Sequence, residues 1–83
     1  MVEDGDCVAI FQSIHRVMKA EKILKALGHK VLLIPVPRQL TSDCGLAIRF
    51  SLELRATIET TLGDAGLAIV ELWQKRDGSF NQL

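Results

Sequence analysis

The chemistry available to this 83-residue chain at neutral pH rests on two cysteines, Cys7 and Cys44, and two histidines, His15 and His29. A thiol is a nucleophile only as its thiolate, and histidine is the side chain that titrates nearest pH 7. Cys44 stands in the polar run Pro37-Arg-Gln-Leu-Thr-Ser-Asp-Cys-Gly45. Gly45 beside it can let a partner approach the backbone closely. Arg38 would lower the thiol pKa and Asp43 would raise it, so the net direction is not fixed by the sequence. A free cysteine often packs as a small hydrophobe, and that reading competes here with a reactive one favoured by Thr41, Ser42 and Asp43. Cys7 opens an apolar run and reads as structural. His15 reads as a proton donor or acceptor near Cys44, or as a solvated helix-start residue. Arg38 fits a phosphate or carboxylate, against the default of a surface arginine. Glu21 and Lys25 have the i, i+4 spacing of a solvated ion pair.

Other chemistries lack their residues. The histidines and cysteines have no metal-ligand spacing, and no phosphate loop, dinucleotide fingerprint or nucleophile elbow is present. Ten acidic residues balance ten basic ones, so the cationic excess that neutralises nucleic-acid phosphates is missing overall, although a local patch is compatible with the composition. Only Phe11 and Phe50 lie on candidate central strands, too few for a base-stacking sheet. No apolar run reaches the roughly 20 residues of a membrane span, and the acidic start Met1-Val-Glu-Asp-Gly-Asp is unlike a secretory signal. These features point to the cytoplasm, where both thiols would stay reduced.

The elements that must position Cys44 follow from hydrophobic period. Cys7 to Phe11 is a continuous apolar run and predicts a buried strand. Val17, Ala20, Leu24 and Leu27 recur at helical spacing, with Ser13 as N-cap and Gly28 as stop, predicting a helix over 14–27. Val31 to Ile34 predicts a second strand, stopped by Pro35 and Pro37. Leu46, Ile48 and Phe50 alternate with Ala47, Arg49 and Ser51 as a third strand with one apolar face. Ser51 would cap a second helix with Leu54, Ile58, Leu62 and Ala65 inward, closed by Gly63 or Gly66. Leu67 to Gln74 predicts a fourth strand, and Lys75 to Leu83 a polar tail.

The order βαββαβ predicts an α+β, ferredoxin-like fold: a four-stranded antiparallel sheet with two helices on one face, in a single domain over 1–83 whose core spans about 7–74. Strands one and two would run parallel with strand three between them. That topology brings the end of strand one, the start of helix one, the end of strand two and the start of strand three to one edge of the sheet. The 11-residue connection Pro35 to Gly45 exceeds what a chain reversal needs and would sit at this edge, near the helix-one N-terminus, whose N–H groups favour an anion such as a thiolate. Cys7 would lie at the opposite edge, about 16 Å away along a five-residue strand, too far for a disulfide to Cys44.

Phe11-Gln-Ser-Ile-His, Ala20-Glu-Lys-Ile-Leu, Ile34-Pro-Val-Pro-Arg and Ser42-Asp-Cys-Gly-Leu-Ala together resemble the selenium/sulfur carrier-like family over roughly residues 7 to 74. The resemblance implies that Cys44 is the carrier atom's attachment point and that Pro37 and Arg38 are the family's proline-arginine segment. His-Arg-Val stands where that family's histidine would be followed by an acidic residue and alanine. What the resemblance implies is relay: Cys44 takes sulfur or selenium as a persulfide or selenylsulfide from a donor such as a cysteine desulfurase and yields it to an acceptor protein. No cofactor need be bound, and the chain would be a carrier more than a classical enzyme. Two other classes compete: a thiol redox sensor, disfavoured by the lack of a nearby resolving cysteine, and a protein-interaction or regulatory module using the open sheet face or the proline loop.

Overall fold

The computed structural model describes residues 2–41 and 45–83. Ser42, Asp43 and Cys44 therefore lie outside the described residues. Strand β1 (Asp6–Ile10) leads through Ser13 into helix α1 (Ile14–Ala26), then come β2 (Leu32–Pro35), β3 (Leu46–Ser51), a 3-10 turn (Leu52–Leu54), α2 (Arg55–Asp64), β4 (Glu71–Arg76) and β5 (Ser79–Gln82). The sheet order is β2-β3-β1-β4-β5 and every neighbouring pair is antiparallel. Since β1 and β2 both run antiparallel to β3 between them, they are parallel to one another.

Five strands replace the expected four. The fifth comes from residues read as a polar tail, because Asp77 (φ 52°) and Gly78 (φ 79°) make a two-residue hairpin turn that returns the chain along β4. Both central residues need positive φ in such a turn, and Asp-Gly supplies them. The fourth strand begins at Glu71 instead of Leu67, since Leu67 is spent on closing α2. There the N–H of Leu67 donates to the carbonyl of Leu62 and that of Gly66 to Gly63, a Schellman closure with Gly66 at φ 72°. Gly28 closes α1 in the same way, with His29 donating to Leu24 and Gly28 to Lys25.

Helix α1 is capped as expected: Ser13 Oγ accepts from the Arg16 N–H at 3.2 Å. Leu27, expected inward, is exposed because it has become the cap residue. At α2 the expectation fails twice. Ser51 caps the 3-10 turn without a side-chain bond, and Ala65 is exposed past the helix end, while Ile58 and Leu62 are buried.

Strand pleating divides the core in two. Cys7, Ala9, Ile48, Phe50 and Leu72 face Val17, Ala20, Leu24, Ile58 and Leu62 of the two helices. On the opposite face Val8, Ile10, Ile34 and Ala47 are buried with no helix over them; Leu40 covers them, with Val2, Val36, Trp73 and Phe80 packed around. The third strand keeps the one apolar face expected of it, Leu46, Ile48 and Phe50, and on its other face Ala47 alone is buried, under the connection after β2 that folds back onto the sheet.

Candidate functional site

The connection between β2 and β3 is built from its ends inward. Pro35 is part of β2, opposite Leu46, and does not stop the ladder. Strand β2 is at the sheet edge, where a residue without an N–H is tolerated. The Val36 N–H then donates to the Gly45 carbonyl at 3.0 Å, so the ladder runs one pair further and closes the loop at Gly45, whose φ is 72°. Inside it the Leu40 N–H donates to the Pro37 carbonyl at 3.0 Å, a turn with Arg38 and Gln39 exposed at its centre. Leu40, 7% exposed, pins that turn onto the helix-free face.

Of the residues the sequence singled out, Pro37, Arg38 and Gly45 lie together in this loop, while Asp43 and Cys44 are outside the described residues. His15 is exposed in the first turn of α1. It lines a cavity of about 260 Å³ with Arg16, Lys19, Ala65, Gly66 and Leu67, on the helix side. Ile10 opposite Ala47, and Pro35 opposite Leu46, bring the start of α1 and the loop to one end of the sheet. They share that end without sharing a face, since Leu40 turns the described part of the loop away from the helices. Glu21 pairs with Lys25 at 3.1 Å, as their spacing predicts.

Cys7 is fully buried at the other end of β1, opposite Phe50 and therefore five residues along β3 from Gly45, about 17 Å. Burial pushes its thiol pKa up, beyond what the nearby Arg55 takes back, and Asp6 and Glu59 push in the same direction as burial. That is the environment of an inert packing thiol.

Sequence reasoning passed over a second concavity, about 280 Å³, on the helix-free face, lined by Val2, Pro35, Val36, Pro37, Gln39, Lys75 and Phe80. Lys75 Nζ donates to the Val2 carbonyl at 3.0 Å and holds the N-terminal arm against β4. The signal was available in Asp77-Gly78 between two short polar-apolar runs, a hairpin pattern that carries Phe80 back over Lys75. Arg16 was also passed over; its Nη1 donates to the Gly66 carbonyl at 3.1 Å and ties the end of α2 to the start of α1.

Among the described residues no three His, Cys, Asp or Glu side chains converge as metal ligands, and no helix is long and apolar enough to cross a membrane. The family model described as "Putative Se/S carrier protein-like" matches residues 6–74. The chain belongs to this family. No curated protein and no solved structure matches the chain. The matched span runs from β1 into β4, and so includes His15, Arg38 and Cys44 and leaves β5 outside.

Proposed function

We propose that this chain is a cytoplasmic sulfur or selenium carrier with Cys44 as the loading residue. The observation that supports it most is family membership over a span that contains Cys44, read together with the closure of its loop. The Val36–Gly45 bond and the buried Leu40 hold the described parts of this long loop against a rigid sheet, and loops held on a rigid scaffold are where binding and reactive residues concentrate.

The step is an exchange that needs no external oxidant. The Cys44 thiolate attacks the terminal sulfur of a donor protein's persulfide, for which a cysteine desulfurase is the natural source. The donor's S–S bond breaks, its cysteine leaves as thiolate, and the new S–S bond with its proton stays on Cys44. Unloading is the same exchange with Cys44 as the leaving group: an acceptor thiolate attacks the terminal sulfur, the S–S bond to Cys44 breaks, and Cys44 leaves as thiolate. Arg38, at the exposed centre of its turn, supplies positive charge to the anionic forms. Pro37 and Gly45 shape the loop, Asp43 opposes deprotonation, and His15 serves as a proton carrier at the same end of the sheet. Cys7 is structural.

The test is intact-mass spectrometry after incubation with a cysteine desulfurase and cysteine. Gain of one sulfur that disappears in Cys44→Ser and survives in Cys7→Ser is expected. A folded, reduced protein that gains nothing from either a desulfurase or inorganic polysulfide would refute the carrier reading. The concavity on the helix-free face favours a second reading, a binding module, whose partner affinity would survive Cys44→Ser.

A further inference from the structure

Charge in this chain is balanced overall and segregated along it. Five of the ten Lys and Arg residues, and Glu21 alone of the ten acidic ones, fall between Ile14 and Lys30. Helix α1 buries Val17, Ala20 and Leu24 and turns the opposite side outward. At 100° per residue that outer side carries Ile14, His15, Met18, Lys19, Lys22 and Lys25. Met18 is 52% exposed and Ile14 43%, so an apolar pair one turn apart is framed by cations. Lys25 is neutralised by Glu21, whereas Lys19 and Lys22 make no ion pair with a described residue. An apolar centre with a charged rim is the anatomy of a protein contact.

We infer that the outer face of α1 is the docking surface for the protein that donates sulfur, and that the donor meets it with a carboxylate-rimmed apolar patch. The inference rests on the carrier reading. Helix α1 starts at the sheet end where the Cys44 loop closes, and the molecule measures only 32 × 27 × 19 Å. An ordinary interface of about 800 Å² per partner is on the order of 30 Å across, so one partner spans the helix and the loop end together. Nucleic acid fits less well, because the remainder of the chain carries the balancing acidic excess and no Phe, Tyr or Trp stands on this face. An amphipathic membrane helix is also a poor fit, because the main apolar stripe of α1 already packs on the sheet.

Loading of the full chain is followed by intact mass with two donors, inorganic polysulfide and a cysteine desulfurase with cysteine, at 50 and 300 mM NaCl. Polysulfide should load wild type, Lys19→Glu/Lys22→Glu and Met18→Asp at one rate at both salts. Desulfurase loading should fall about tenfold in the double charge variant and several-fold in Met18→Asp, and should fall with salt only in wild type and Met18→Asp. Equal desulfurase rates in wild type and the double variant at 50 mM NaCl would overturn the inference, as would wild type that loads from polysulfide and not from desulfurase. Failure of both donors counts against the carrier reading itself. A single-stranded RNA 20-mer that binds wild type tightly and competes with desulfurase loading would reassign the face to nucleic acid.

Discussion

The Val36 N–H lies 3.0 Å from the Gly45 carbonyl, so the segment that contains Cys44 leaves and re-enters the sheet at one hydrogen-bonded pair. Gly45 achieves this at φ 72°, a conformation that costs an L-residue about 1–2 kcal/mol. A Cβ added there would meet no atom within 4 Å, so the strain is purely conformational. Gly45→Ala should lower stability by about 1–2 kcal/mol, roughly 5–10 °C in Tm for a domain of this size, read by thermal denaturation. An unchanged Tm would show that the loop closes without that backbone conformation.

Leu40 holds the described part of the same loop on the helix-free face. Leu40→Ala should cost about 2–4 kcal/mol in urea denaturation, while Arg38→Ala, at the exposed centre of the turn, should cost under about 0.5 kcal/mol and act on loading rate instead. Equal stability losses would remove the distinction between an anchor and a working residue.

Cys7 should behave as a protected thiol whose burial links stability to pH. Its folded pKa is raised, so the folded state holds the proton longer than the unfolded chain does. The stabilisation is complete below about pH 8.5 and is lost as pH rises through the folded value, at up to about 1.4 kcal/mol per pH unit. Chemical denaturation from pH 7.5 to 10.5 should show wild type losing stability faster than Cys7→Ala. Parallel curves would contradict the burial argument, as would iodoacetamide labelling of Cys7 in native Cys44→Ser within minutes at pH 7.5.

Strand β5 pairs Phe80 with Lys75 and Ser79 with Arg76, and Phe80 packs against the helix-free core. Deleting residues 77–83 should therefore destabilise the protein by several kcal/mol and raise aggregation, because it bares the edge of β4. A dispensable tail would leave the denaturation midpoint and the light scattering where they were.

Ser13 tests the start of α1. Ser13→Ala removes the side-chain acceptor of the Arg16 N–H and should cost about 1 kcal/mol, with Ser13→Asp close to neutral. If Ser13→Ala matched wild type, water would be satisfying that end of the helix as well as the hydroxyl does.

The elements whose signals are local were legible in the residues themselves. Ser13 and Gly28 mark α1 because a cap and a stop act on adjacent backbone groups, and the period of Val17, Ala20 and Leu24 fixes which side of that helix is buried. The alternation in Leu46, Ile48 and Phe50 marks β3, and the motifs between residues 6 and 74 mark the family. What covers the other side of the sheet depends on contacts between residues far apart in the chain. Ala47 and Leu40 are apolar in the sequence, but nothing local says that they meet; that contact forms because a helix-free face exposing Val8, Ile10 and Ile34 must find cover, and the long loop and Phe80 are within reach. Ala65 and Leu67 show the same limit at smaller scale. Both continue an apolar pattern, and only the backbone turn at Gly66, set by the carbonyls of Leu62 and Gly63, exposes the first and buries the second.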